Sequence, residues 1–197
     1  MTDPDPGAAV DLTPSSFAMA VDAQGFLEPW TSKIERRLAD MAGMYADADA
    51  ERAAIAAGDP LVYEVFQHDM PEHPGELVVC TTRLYPGRVG DEYFMTKGHY
   101  HRIRERAEVY YGLAGEGRLV VAVDDRTDVI PMRPGTVAYV APRWAHRTVN
   151  TGSEPFVFLA VYHGDAGHDY GTIETEGFPL RVVERDGEVA GAEREAR

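Results

Sequence analysis

Gly98-His99-Tyr100-His101, followed by Ala107-Glu108-Val109-Tyr110-Tyr111, decides how the chain is read. In an extended strand alternate residues share a face, so His99 and His101 can point at one ion. The second run is rich in β-forming residues and reads as the next antiparallel strand, carrying Glu108. Downstream, Arg133-Pro-Gly135 marks a turn, and Val137-Ala-Tyr-Val140 reads as a strand leading to Pro142-Arg-Trp-Ala-His146. His146 then arrives from a third strand. Three imidazoles and one carboxylate leave a first-row divalent metal with open positions for a substrate, so His99, His101, Glu108 and His146 are the candidate ligands.

Outward from this stretch, short β-rich runs alternate with Gly, Pro and Asp turns: Leu61 to Gln67, Glu76 to Tyr85, Ala107 to Leu113, Arg118 to Asp124, Thr136 to Ala141 and Phe156 to Tyr162. That pattern predicts an all-β sandwich or small barrel, in which closure removes free strand edges, and a jelly-roll barrel is expected. Arg181 to Glu184 predicts an outer strand. Residues 31 to 57 read as an N-terminal helical segment: Thr31 or Ser32 can cap it, Glu35 follows Ser32 by three, and Ile34, Leu38, Met41 and Tyr45 recur at helical spacing. Met41 and Met44 are expected to pack, and Gly58-Asp-Pro60 ends the helix. The expected organisation is a flexible arm over 1–27, one domain over 28–185 and a frayed charged tail over 186–197.

Composition excludes several classes. The chain has 197 residues, 44% of them hydrophobic, enough for one domain with a core. No run of about 18 apolar residues predicts a membrane span, and the N-terminal sequence lacks the pattern of a signal peptide, so a cytoplasmic location is expected. Cys80 is the only cysteine, which rules out an intrachain disulfide, and its apolar neighbours predict a buried strand position. The net charge of −14, from 33 acidic and 19 basic residues, argues against a nucleic-acid surface.

Six residues separate Glu108 from Gly115, and Gly135 is followed by His146 and Asn150. These two patterns resemble the motifs of the cupin superfamily, double-stranded β-helix barrels that hold a metal between strands. Six residues, Arg102 to Ala107, lie between the second histidine and the glutamate, where the common cupin pattern has three or four. Ala141 and Arg143 replace the usual Pro and Gly of the second motif. The flanking sequence is more specific. Tyr85-Pro-Gly-Arg-Val-Gly-Asp-Glu-Tyr-Phe-Met-Thr-Lys-Gly-His-Tyr-His101, Ala145-His-Arg-Thr-Val-Asn150 and Asp165-Ala-Gly-His-Asp-Tyr-Gly171 resemble the signature of the cupin-type, or archaeal-type, glucose-6-phosphate isomerases. That family also has the longer His-to-Glu spacing, and the resemblance spans about residues 28 to 189.

The resemblance implies interconversion of D-glucose 6-phosphate and D-fructose 6-phosphate in glycolysis and gluconeogenesis. It implies one divalent ion per subunit, iron(II) first, and a homodimer. The donor set also suits nickel, manganese, cobalt or zinc. Positions matching the family's sugar-phosphate contacts are Thr82, Thr96, Gly98, Tyr110, Tyr162, His168 and Tyr170. Hydroxyls and a glycine amide can hold a phosphate without a large positive patch, consistent with the acidic composition. Glu108, His168 and Tyr170 are the expected catalytic groups. Glu108 would carry a proton from C2 to C1 through an enediol, unless hydride shifts directly. His168 would serve ring opening or orient a sugar hydroxyl. Asn150 reads as a turn residue without chemistry. A cupin iron(II) oxygenase, which would consume oxygen, and a sugar-binding cupin without turnover are the competing classes.

Overall fold

The computed structural model describes residues 16–193. The expected arm up to Ser15 and the last four residues of the expected tail lie outside them. The chain opens with β1 (Ala20–Val21) and β2 (Leu27–Glu28), then β3 (Ser32–Arg37), a 3-10 turn over Leu38–Met41 and α1 (Ala48–Gly58). β4 (Leu61–His68), β5 (Leu77–Leu84), β6 (Arg88–Val89), β7 (Glu92–Tyr93) and β8 (Tyr100–His101) follow. Next come β9 (Glu108–Ala114), β10 (Gly117–Val123), β11 (Arg126–Met132), β12 (Val137–Val140), β13 (Ala145–Asn150) and β14 (Phe156–His163). β15 (His168–Asp169), α2 (Gly171–Glu176), β16 (Leu180–Arg185) and β17 (Glu188–Glu193) complete the chain. The architecture is all-β, a jelly roll with a short N-terminal helix.

A six-stranded antiparallel sheet runs in the order β12-β9-β14-β5-β4-β3, and a three-stranded sheet in the order β11-β10-β13. Alternation sorts their side chains. Glu108, Tyr110 and Gly112 of β9 are buried while Val109 and Tyr111 are exposed, and in β14 Phe156, Phe158, Ala160 and Tyr162 point inward. Tyr110 lies 5.4 Å from Phe158 and 5.9 Å from His146 of the facing sheet, ring centre to ring centre. Leu119, Val149, Phe156 and Leu84 are wholly or almost wholly buried. Each such side chain contributes roughly 1.5–3 kcal/mol through loss of water contact.

Every run read as β from Leu61 onward is a strand. β11 went unread because Asp128 and Pro131 weaken its pattern, yet it lies at the edge of its sheet, where a proline is tolerated. The sheets face one another without a continuous ladder around the barrel. Isolated bridges, Met95 with Val149 and His99 with His146, tie the segment that leads into β8 to β13 of the three-stranded sheet.

The helical reading of residues 31 to 57 is corrected. Ser32 to Arg37 is a strand, paired with β4 from Ser32 opposite Gln67 to Arg37 opposite Leu61. An open sheet edge supplies the backbone partners that a marginal helix start would have to provide for itself, so pairing overrides local spacing. Thr31 and Ser32 donate their hydroxyl protons to Asp69, each at 2.8 Å, instead of capping a helix. The true cap is Asp47, whose side chain accepts from the amides of Asp49 and Ala50. Leu38, Met41, Met44 and Tyr45 are buried, as packing residues should be, and Gly58 ends α1 with Asp59 in the left-handed region.

Arg181 to Glu184 lie in β16, as expected. The chain beyond it turns at Asp186 and Gly187 and returns as β17, fully paired with β16, where fraying from Asp186 was expected. At the other end, β1 pairs with β2, and Leu27 of the expected arm is wholly buried. Among the described residues no helix is long and apolar enough to cross a membrane.

Candidate metal centre

The four candidate ligands converge. His99 immediately precedes β8, His101 ends it, Glu108 begins β9 and His146 lies in β13, and their ligand atoms all fall within 4.8 Å of one another. The route differs from the expected one. Glu108 is not on the ladder neighbour of the histidine strand: β8 pairs with β15, His99 bridges to His146, and β9 belongs to the six-stranded sheet. The carboxylate therefore reaches the imidazoles across the space between the sheets.

Hydrogen bonding assigns the ring nitrogens. His101 Nδ1 donates to the Arg106 carbonyl at 2.9 Å and His146 Nδ1 to the Trp144 carbonyl at 3.3 Å. Both rings thus keep the Nε2 lone pair free of a proton in the neutral form. Both Nε2 atoms lie 3.0 Å from the same oxygen, Glu108 Oε2. His99 Nε2 is buried without a hydrogen-bond partner, as is His146 Nε2. Lone pairs aimed at an anionic oxygen repel unless a cation lies among them. Separations of about 3 Å suit neighbouring ligand atoms bonded to an ion at about 2.0–2.2 Å. The donor set fits a divalent metal, and the two carbonyls are the outer partners that orient metal-binding histidines.

The local electrostatics prepare His99 and Glu108 for a cation, whereas Glu108 draws His101 toward its protonated form, which a bound ion must displace. Burial pushes His99 well below its ordinary value, and His146 and His168 add to that. Burial also opposes charge on His101, but the Glu108 carboxylate outweighs it and the pKa is raised. Burial would raise Glu108, yet the surrounding imidazoles, His146 foremost, hold it below the usual carboxylate range. Neutral imidazole and ionised carboxylate are the forms a metal requires.

The cluster opens into a cavity of about 410 Å³ between the two main sheets. Its lining includes all seven residues expected to contact a sugar phosphate: Thr82 of β5, Thr96 and Gly98 before β8, Tyr110 of β9, Tyr162 of β14, His168 of β15 and Tyr170. His99, Glu108 and His146 line it as well, whereas His101 stands behind them. The His168 ring is 4.4 Å from that of His99 and lies nearly parallel to Tyr170, centres 5.7 Å apart at 13°. Gly98 has φ +73°, a backbone that favours glycine, and a Cβ there would come within 2.9 Å of Arg147 Cβ and 3.2 Å of the His146 carbonyl.

Asn150 donates to the carbonyls of Leu84 and Glu154 and accepts from the Gly152 amide, the turn role assigned to it. Cys80 is buried in β5, and burial pushes its thiol up. Lys97 lines the cavity and pairs with Glu174 of α2 at 3.1 Å. Thr148, Gln67 and Asp69 are among the polar cavity residues that were missed. Thr148 follows His146 by two in β13, so strand alternation could have found it. Gln67 accepts from the Tyr162 hydroxyl at 3.1 Å and leads to Asp69, but neither belongs to a motif.

The model of the family described as glucose-6-phosphate isomerase matches residues 35–196. A glucose-6-phosphate isomerase of Pyrococcus horikoshii is 51% identical over 174 residues, covering 88% of this chain and 92% of that protein. One from Thermococcus gammatolerans is 49% identical and one from Pyrococcus furiosus 48% identical, with the same coverage.

Proposed function

The chain belongs to the glucose-6-phosphate isomerase family, and from that membership we propose that it interconverts D-glucose 6-phosphate and D-fructose 6-phosphate in the cavity between its two main sheets. The observation that carries this reading is the convergence of His99, His101, Glu108 and His146 on a cavity lined by Thr82, Thr96, Gly98, Tyr110, Tyr162, His168 and Tyr170.

The reaction moves a hydrogen between C1 and C2 while the carbonyl moves the other way. One divalent ion per subunit, iron(II) in this proposal, would polarise the substrate carbonyl when bound by His99, His101, Glu108 and His146. Thr82, Thr96 and Gly98 bind the phosphate through hydroxyl and main-chain donors, while Tyr110 and Tyr162 wall the sugar. Tyr110 and Tyr162 are held protonated, because burial and then nearby groups raise their hydroxyls, and so they serve as donors. His168 and Tyr170 orient the sugar hydroxyls and move the proton that accompanies ring opening. Glu108 carries the C2 proton to C1 through an enediol. Oε2 faces two imidazoles, so the other carboxylate oxygen performs the transfer.

The reading places the enzyme in glycolysis and gluconeogenesis in the cytoplasm, as a homodimer. Val109, Tyr111, Val137 and Tyr139, exposed and adjacent across β9 and β12, offer a second copy an uncharged surface on a chain of net charge −14. Sedimentation equilibrium at micromolar concentration is expected to give a dimer mass. The decisive experiment is conversion of fructose 6-phosphate, coupled to a dehydrogenase, with iron(II), nickel, manganese, cobalt and zinc restored in turn. Absence of turnover with every ion rejects the function.

A further inference from the structure

Arg102-Ile-Arg-Glu-Arg-Ala107 is the segment that lengthens the His-to-Glu spacing, and its three arginines all reach the stretch that leads to His168 and Tyr170. The amides of Arg102 and Ile103 donate to the carbonyls of Gly167 and Ala166 at 3.2 and 2.9 Å. The Arg102 guanidinium lies so close to Gly167 that a Cβ there would come within 2.9 Å of it. Arg104 Nη2 donates to Asp169 Oδ2 at 2.9 Å. Arg106 grips Asp165 with both prongs, Nε to Oδ1 at 2.8 Å and Nη2 to Oδ2 at 2.6 Å. Beside them β8 pairs with β15, with His101 opposite His168.

Arg106 has a second attachment. Its carbonyl accepts the Nδ1 proton of His101, one of the four converging ligands. One residue therefore touches a candidate metal ligand through its backbone and the substrate-facing segment through its side chain. A two-pronged arginine–carboxylate contact sets both a distance and an angle, which a single-point lysine contact does not. The Arg106 side chain is 27% exposed and that of Asp165 9%, so the contact is partly shielded from water and fixes the relative placement of the two segments.

We infer that Arg106 is a positioning residue, which holds the His168–Tyr170 segment in register with the metal centre by bonding Asp165 with its guanidinium and His101 with its carbonyl. The inference rests on the isomerase reading for its kinetic consequence. Arg106→Gln and Arg106→Lys are expected to lower kcat by about 10- to 100-fold, the range that misplacement of about 1 Å produces. Metal content by elemental analysis should stay at the wild-type level, because the carbonyl remains. The transposed double variant Arg106→Asp with Asp165→Arg should recover at least a third of the lost activity, which a general loss of folding would not allow. Amide hydrogen exchange over residues 165–170 should quicken in the single variants and slow again in the double variant. Wild-type kcat to within twofold in both single variants, or loss without recovery in the double variant, overturns the inference. Should Arg106→Gln fail to fold, Asp165→Asn applies the same test from the other partner. An inactive wild-type protein would end the isomerase reading, and unchanged exchange over 165–170 would then separately refute the docking role.

Discussion

His99 and His146 are joined through both of their backbones: the His99 amide donates to the His146 carbonyl at 3.1 Å, and the His146 amide donates to the His99 carbonyl at 3.0 Å. This reciprocal pair brings two ligands from distant parts of the chain together before any metal is considered. Their main-chain positions are therefore set by the fold, while the side chains remain available to bind.

His146→Ala is expected to remove metal and activity together. It deletes an imidazole whose Nε2 is buried beside Glu108 but leaves the backbone pair with His99 intact. Activity should fall by at least about 100-fold, beyond the usual effect of losing an outer partner of a ligand. Far-ultraviolet circular dichroism should keep its β signature, and elemental analysis should show less than one ion per chain. Full activity in this variant would show that the ligand set is misassigned.

Chelation should lower the unfolding temperature, and any ion that restores turnover should restore it. Without a cation, the Nε2 atoms of His99 and His146 are buried without a hydrogen-bond partner beside the Glu108 carboxylate. A ligand at 1,000 times its dissociation constant stabilises the native state by roughly 4 kcal/mol. Calorimetry with and without chelator measures the difference, and identical transitions would speak against metal binding.

Gly98→Ala should damage the site at a distance from the ligands' own side chains. The positive φ disfavours alanine, and the added methyl would press on Arg147 and on the His146 carbonyl. A loss of about 1–3 kcal/mol is expected from backbone strain. The accompanying fall in kcat/KM should exceed that of Gly135→Ala, at φ +86° with open space around it. Equal kinetic effects of the two substitutions would remove the special role of Gly98.

Glu64→Gln should cost stability at neutral pH and cost less in acid. Glu64 is buried, accepts the Tyr85 hydroxyl at 2.6 Å and meets Lys33 at 2.6 Å. Burial alone would raise its carboxyl, but Lys33 and Tyr85 outweigh it and the pKa is lowered from the ordinary 4.5. A depressed folded value means the contribution is complete above 4.5 and disappears as pH falls through the folded value. Denaturant melts should therefore show a gap of roughly 1–3 kcal/mol at pH 7 that narrows below pH 4.5. A gap that widens in acid would contradict the sign.

Much of this molecule is legible along the chain because alternation is local. The buried and exposed positions of β9 follow from period two, and the runs read as strands from Leu61 onward lie within a residue or two of their observed limits, whereas β11 and β17 were not read. Ser32 to Arg37 defeated the same reasoning. Its residues tolerate helix and strand alike, and the deciding factor was an unpaired edge of β4, which lies later in the sequence. Arg106 was equally invisible. Nothing near it indicates that Asp165 will arrive opposite its guanidinium.

The sequence alone determined which side chains could ligate a metal, where most of the long strands lie, and which family the chain resembles, since all three depend on residue type and short spacing. Only the tertiary structure decided that Glu108 meets the histidines across two facing sheets, that His99 and His146 share a backbone bridge, and that three arginines hold the segment leading to His168 and Tyr170. Those arrangements arise from pairings between distant segments. Their register is set by the side chains that must be buried together, so no local pattern encodes them.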